Sequence, residues 1–375
     1  MDIGIVRDDA RQEHRTALTP TGVRTLTHQG HAVFIESKAG EDSGFHDAFY
    51  QEAGGTLVYS RQEVYDRAEV LLKISPLTPG DCRQLKPQQV VFGFHHLAVA
   101  SRTVIDALKE KDITVIGYEI IEDATGELPI LTSMSEIAGQ MSVHVGAHYL
   151  QNEQWGRGVL FGGVPGVPEA AVVILGAGVV GMNATEAALG MGGHVVLLDQ
   201  DIKKLRRAAD LFGKRVTTGA ANQRNLDKAV RFADVLIGCV SIHGERAPHL
   251  VTADHVKAMK RRAVLVDVSI DQGGCVETSR PTTLADPVFI EHEVIHYCVP
   301  NMTSNVSRSA TYALTNTSLP YVEQIARYGL ERALEQDPGL RNGVYFYHGQ
   351  CTKPVIAEMF DTEYLPVLDA IQGSH

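Results

Sequence analysis

Three glycines, Gly176, Gly178 and Gly181, constrain this chain more than any other feature. They stand in G-x-G-x-x-G spacing within VVILGAGVVGMNAT. An apolar run, Ala171 to Leu175, precedes them, and a helical pattern, Val179 to Gly190, follows. That context turns a weak pattern into a strand–turn–helix that can receive a dinucleotide. Gly176 permits the tight turn, Gly178 lets backbone approach a pyrophosphate, and Gly181 lets helix and strand pack closely. The helix start offers free N–H groups and a positive dipole end to phosphates. Asp199 ends the next apolar run, HVVLLD, 18 residues beyond Gly181. A carboxylate there accepts hydrogen bonds from ribose hydroxyls and repels a 2′-phosphate, which selects NAD over NADP. The alternative is a glycine-rich αβ turn that binds no nucleotide.

The same alternation runs through most of the chain. Apolar runs at Ile3–Val6, His31–Glu36, Val70–Ile74, Gln89–Phe94 and Thr114–Tyr118 read as strands. Helical patterns lie between them, one opened by Thr19-Pro20 and another at Ser101–Lys111. Beyond the glycine turn, strands are expected at His194–Leu198, Val235–Cys239, Ala263–Val268 and Ile295–Val299, with helices at Ile202–Phe212 and Ala253–Met259. A long helix, Ser135–Gln151, capped by Ser135, and the glycine- and proline-rich stretch 152–168 suggest a boundary. The expected fold is α/β, with two doubly wound Rossmann-like domains, the second carrying the dinucleotide fingerprint. The domains are expected at 1–134 with 305–375, and at 135–304. The mostly helical tail beyond Ser304 should rejoin the first.

Composition removes several function classes. The chain has 375 residues, 44% hydrophobic and 21% charged, as in a soluble globular protein of two domains. Its net charge of -11 without a basic block lacks the footprint of a nucleic-acid or membrane-surface binder. No stretch has the length and apolarity of a membrane span, and no secretory leader is visible. Cys82, Cys239, Cys275, Cys298 and Cys351 are odd in number and contain no CxxC pair. They read as reduced, buried thiols of a cytoplasmic protein, not as a disulfide framework or a metal site. Gly373-Ser374-His375 at the end receive no function.

The first half lacks a glycine turn, so it should supply substrate contacts. Oxidising an acid or amino acid needs a cation for the carboxylate, an acid/base, and a charge that steadies a transient imine. Arg15 can grip a carboxylate bidentately, or it is a solvated surface arginine. Lys73 lies in the apolar run VLLKI, where lysine is rare without a partner. Its alternative is an edge position with a snorkelling side chain. His95 and His96 end an apolar run, where an imidazole can move protons near neutral pH. Chemistry alone does not choose between them, or between catalysis and structure. Asp271 follows the apolar run containing Asp267 and precedes two glycines, as a ligand-facing carboxylate or a turn former.

Taken together, EHRTALTPTGV, EVLLKI, GFHHLA, LPILTSMSEIAGQMSV, GRGVLFGGVPGVP, VVILGAGVVGMNA, VLVDVSIDQGGCVETSRPTT, YCVPNM and TYALTN resemble the alanine dehydrogenase family. That family shares its fold with the nucleotide-binding part of proton-pumping transhydrogenases. The resemblance implies substrate contacts at Arg15 and Lys73, an acid/base at His96, and a catalytic carboxylate at Asp271. It implies cofactor contacts at Ser135, Gly176, Gly178, Gly181, Asp199, Lys204 and Asn301. It also implies a cytoplasmic homohexamer whose first domain is completed by the C-terminal helices. Two stretches depart from the pattern. Lys73 is followed by Ile-Ser-Pro, where similar enzymes have a valine and an acid before proline. Met302 is followed by TSNVSRS in place of a proline-bearing loop.

The expected reaction is reversible oxidative deamination of L-alanine to pyruvate and ammonium with NAD, without a metal. The nicotinamide would lie against Arg15, Lys73, His96 and Asp271. The rivals are a dehydrogenase or reductive aminase for another small amino acid, a transhydrogenase-like subunit, and a non-catalytic nucleotide sensor.

Overall fold

A computed structural model describes residues 1–8, 12–240 and 247–373; Ser374 and His375 therefore lie outside the described residues. The chain divides into two compact units, Met1–Met134 with Ser304–His375, and Ser135–Thr303. Ser304 thus falls with the first unit, one residue away from its expected place.

The strands in chain order are β1 (Asp2–Ile5), β2 (Ala32–Glu36), β3 (Thr56–Val58), β4 (Val70–Leu72), β5 (Val90–Gly93), β6 (Thr114–Gly117), β7 (Ala171–Leu175), β8 (His194–Asp199), β9 (Val216–Ala220), β10 (Val235–Gly238), β11 (Val264–Asp267), β12 (Val288–Glu291), β13 (Val294–Tyr297), β14 (Val344–Tyr347) and β15 (Gln350–Cys351). In the first unit the sheet order is β15-β14-β6-β5-β4-β1-β2-β3, parallel from β6 to β3. In the second it is β12-β13-β11-β10-β7-β8-β9, parallel except for β12. The parallel strands of each sheet stand in the doubly wound order 3-2-1-4-5-6, the second sheet carrying β12 as an added antiparallel edge strand, and each sheet reverses direction beside its first strand. Ligands of such sheets bind beyond the strand C-termini at that reversal, β1/β4 in one unit and β7/β10 in the other.

The central strands are buried throughout: β4, β5 and β6 in the first unit, β7, β10 and β11 in the second. Continuous Val, Ile and Leu runs suit parallel strands covered on both faces. Thr19 caps the helix Pro20–His28 by accepting from the Gly22 N–H, with proline in the first turn.

One expectation needs correction. Ser135 is not a helix cap. The helix runs Pro129–Tyr149, so Ser135 sits inside it. Proline is a natural first helical residue, and the ladder already carries Thr132 N–H to Leu128 O. The C-terminal tail is mostly helical as expected, and within it β14 and β15 extend the first sheet antiparallel beside β6. Val344-Tyr-Phe-Tyr is a buried β-branched and aromatic run, and His348-Gly349, both at positive φ, turn it back.

Among the described residues no helix is long and apolar enough to cross a membrane. All five cysteines are buried and outside any disulfide.

Candidate active site

The fingerprint glycines behave as three different devices. Gly176 has φ 105°, and a Cβ there would lie 2.7 Å from the Cys239 carbonyl oxygen. At Gly181 a Cβ would collide with the Gly176 oxygen, so helix and turn touch backbone to backbone. Gly178 differs: a Cβ there meets nothing within 4 Å. The space beside Gly178 is a cradle, and Gly178 itself caps the helix Val179–Gly190. Asp199 is buried at the end of β8. One carboxylate oxygen accepts from the Ala177 N–H at 2.6 Å and the other from the Asp201 N–H at 2.8 Å. That fixes the carboxylate against the turn, and its remaining lone pairs can accept from ribose hydroxyls. Open cradle, helix N-terminus and fixed acid fit a dinucleotide.

Lys204 is exposed on the helix Ile202–Phe212, and Ser135 is half-buried in its helix. Asp271 lies in the short turn Val268–Gln272 and accepts from the Asn301 N–H at 3.1 Å. Asn301 holds φ 55°, a left-handed conformation that asparagine tolerates better than most residues. The two residues expected from separate motifs therefore touch. Asp267, by contrast, is turned inward, where it accepts from the N–H groups of Ser269, Cys275 and Val276. Burial raises its pKa, and hydrogen bonds from Ser279, Cys275 and Val276 pull it partly back. It holds the turn together.

In the first unit Lys73 follows β4 at the β1/β4 reversal, and only 4% of it is exposed. It is no edge lysine, since β4 lies between β1 and β5. Its ammonium donates to both carboxylate oxygens of Asp8 at 3.0 Å and stands 3.7 Å from Asp81. Asp8 also accepts from the Ile74 and Ser75 N–H groups. Tyr65 and Thr78 donate to Asp81. Burial works to raise the Asp81 pKa, but Lys73 and these bonds outweigh it and hold the carboxyl below its ordinary value. Two carboxylates from other elements, Asp8 and Asp81, thus flank the Lys73 ammonium.

Arg15 is buried, not solvated. It forms a two-pronged pair with Glu13, Nε to Oε1 at 2.6 Å and Nη2 to Oε2 at 2.7 Å. Its guanidinium lies 5.7 Å from the Phe94 ring centroid, and the Phe94 and His96 rings stack at 6.3 Å. Ser304, from the atypical stretch after Met302, accepts from the His14 N–H at 2.7 Å and donates to the Gln12 carbonyl, bracing the segment that carries Arg15.

The two histidines part company. His96 is half-buried at φ 44° and donates its N–H to Glu119 Oε1 at 2.6 Å. His95 is buried, and neither ring nitrogen has a well-formed hydrogen bond. Burial lowers its pKa to about 4, more than the Glu119 carboxylate and the Val91 carbonyl raise it. An imidazole that stays neutral throughout the working range and is sealed from solvent is a poor proton shuttle. His96, by contrast, is not enclosed in this way.

Arg15, Lys73 and His96 thus belong to one unit, and Asp271, Asn301, Ser135, Lys204, Asp199 and the glycines to the other. Sequence reasoning missed Asp8, Glu13, Asp81, Glu119 and Tyr345. The rarity of an unpartnered buried lysine announced that Lys73 needs an acid, but not which one.

Residues 4–138 match the family described as alanine dehydrogenase/PNT, N-terminal domain, and residues 142–354 match its C-terminal domain. The alanine dehydrogenase of Methanococcus maripaludis is 43% identical over 372 residues, covering 99% of this chain and 100% of its own. That of Mycobacterium tuberculosis strain H37Rv is 44% identical over 349 residues, covering 93% and 94%. A solved L-alanine dehydrogenase superposes with a TM-score of 0.89 at 42% identity, over 96% of this chain and 99% of that one. A transhydrogenase from Sinorhizobium meliloti, 20% identical, shares the fold with a TM-score of 0.78 over 94% and 99%. The chain belongs to the alanine dehydrogenase/PNT family.

Proposed function

We propose that this protein is an NAD-dependent L-alanine dehydrogenase, interconverting L-alanine, NAD and water with pyruvate, ammonium, NADH and a proton. The observation that carries the reading is Lys73: a buried lysine at a sheet reversal, with its charge balanced by fixed carboxylates, in a family of amino-acid dehydrogenases. Gly176, Gly178, Gly181 and Asp199 would hold NAD, with Ser135, Lys204 and Asn301 as further contacts. When bound, NAD supplies the hydride acceptor.

Arg15 binds the substrate carboxylate with the guanidinium that Glu13 orients. Lys73 polarises the carbonyl of the oxo acid as a donor, because Asp8 keeps it fixed. His96 takes the proton from attacking water and returns it when the carbinolamine collapses. Asp271 orients that water or ammonia and steadies the positive iminium carbon–nitrogen unit. Each proton movement is then assigned to one histidine and each charge to a group of opposite sign.

The second reading is a dehydrogenase or reductive aminase for another small amino acid, favoured by the departures after Lys73 and Met302. We also propose, from the family, a cytoplasmic homohexamer, which light scattering after gel filtration tests. NADH absorbance with alanine, glycine, serine, larger amino acids and, in reverse, oxo acids with ammonium or amines separates the substrate readings. Alanine and pyruvate should give the highest kcat/KM. Another amino acid ahead of alanine by tenfold or more would replace the proposal.

A further inference from the structure

Glu119 follows β6 and is buried. Its Oε1 accepts two hydrogen bonds, from the His96 N–H at 2.6 Å and from the Tyr345 hydroxyl at 2.9 Å. Its Oε2 is buried with no hydrogen-bond partner among the described residues. The carboxylate therefore holds both donors on one oxygen and leaves the other buried and unsatisfied, which costs stability. What it holds is the backbone of His96, a non-glycine residue in the left-handed region.

The surroundings are shaped for this contact. β14 pairs with β6 through Val344↔Ile116 and Phe346↔Val115, which leaves Tyr345 as the extra residue of a bulge. Bulges re-aim side chains, often beside active sites. Tyr345 crosses bare backbone at Gly117, where a Cβ would collide with its ring. Burial and the nearby Glu119 charge push the Tyr345 pKa well above its ordinary value, so the phenol remains a donor at working pH. Phe94, stacked with the His96 ring, sets the other side.

We propose that Glu119, locked by Tyr345, is the positioning residue of His96: it fixes the strained His96 peptide and so aims the imidazole at the substrate. This rests on reading His96 as the acid/base. The C-terminal strand thereby reaches the chemistry through two hydrogen bonds, without touching substrate. Once the acceptor is lost, the His96 peptide relaxes from φ 44° and the ring moves with it. A displacement of about 1 Å at an acid/base costs on the order of 100-fold in rate.

The test compares Glu119→Leu, Glu119→Gln and Tyr345→Phe with His96→Ala in the full-length protein. It follows kcat and KM in both directions and NADH affinity by fluorescence titration. Glu119→Leu should lower kcat by about 100-fold while NADH affinity stays within about twofold. Glu119→Gln keeps the oxygen acceptor and should recover at least about tenfold of that loss. Tyr345→Phe should lower kcat by about three- to tenfold with KM for alanine nearly unchanged. A Glu119→Leu enzyme with wild-type kcat, beside an inactive His96→Ala, overturns the positioning role and leaves the acid/base reading intact. Should Glu119→Leu fail to fold, a Tyr345→Phe enzyme with unaltered kcat overturns it equally. A His96→Ala enzyme with full turnover removes the acid/base reading on which the proposal rests.

Discussion

Replacing His95 with leucine takes out a buried base that the fold keeps neutral, and the consequence for stability depends on pH. The ordinary histidine pKa of 6.5 falls to about 4 in the folded protein, mainly through desolvation. Between those values the unfolded chain binds a proton that the native chain refuses. Stability tied to His95 is therefore present in full above pH 6.5 and is lost as pH falls toward about 4. At 1.36 kcal/mol per pH unit the whole interval is worth about 3 kcal/mol, of which about 2 is gone at pH 5. Leucine has nearly the same volume and no ring nitrogens to leave unbonded, which itself favours the variant by about 1–3 kcal/mol at neutral pH. Urea unfolding of both proteins at pH 7.5 and pH 5 reads the effect, because the other titrating groups cancel in the difference. The His95→Leu protein should be the more stable of the two at both values, with a gap wider by about 2 kcal/mol at pH 5. A gap that stays constant or narrows on acidification would show that the imidazole is charged in the native state, and the assignment of proton transfer to His96 alone would lose its basis.

Gly178→Ala and Gly181→Ala should separate binding from folding. The first meets nothing within 4 Å, so melting stays near wild type while NADH affinity drops; the second collides with the Gly176 oxygen and should lower the melting temperature as well. Differential scanning fluorimetry with and without NADH distinguishes them, and an equal loss of stability in both would contradict the cradle. Asp8→Asn leaves the buried Lys73 ammonium facing Asp81 at 3.7 Å, and should cost about 3–5 kcal/mol, as for breaking a buried pair. Urea unfolding checks it, and a loss below about 1 kcal/mol, the level of an exposed pair, would mean that Lys73 is solvated. Asp199→Ala should weaken NADH binding by tenfold or more and narrow its advantage over NADPH; fluorescence titration with both cofactors tests this, and an unchanged ratio would remove Asp199 from ribose recognition.

The second half was the more legible in sequence, for a physical reason. Its strand, turn and acid follow one another along the chain, so Gly176, Gly178, Gly181 and Asp199 announce themselves by local spacing. The helices Val179–Gly190 and Ile202–Phe212 and the strand Ala171–Leu175 match their expected bounds. Lys73 signalled an unusual site, yet its partner Asp8 lies 65 residues away across the sheet. Periodicity carries no information over that separation. Tyr345 was hidden further: its run was swallowed by an expectation of helix, and its contact with Glu119 spans 226 residues. Ser135 was misread as a cap because serine before an acidic, periodic segment imitates one. Pro129, six residues earlier, was the stronger start. Residue chemistry alone left His95 and His96 equivalent, because the burial that distinguishes them is not visible in adjacent identical residues, and only the family resemblance pointed to His96.

Isotope transfer tests the central claim most directly. The protein is incubated with pyruvate, ammonium and NADH deuterated at nicotinamide C4 on either face, and the alanine is analysed by NMR. One of the two labelled cofactors should deliver its deuterium to the α-carbon of L-alanine, one label per NADH consumed. Alanine without deuterium from either cofactor, or NADH left unoxidised while pyruvate and ammonium are in excess, would contradict direct hydride transfer to the amino-acid carbon.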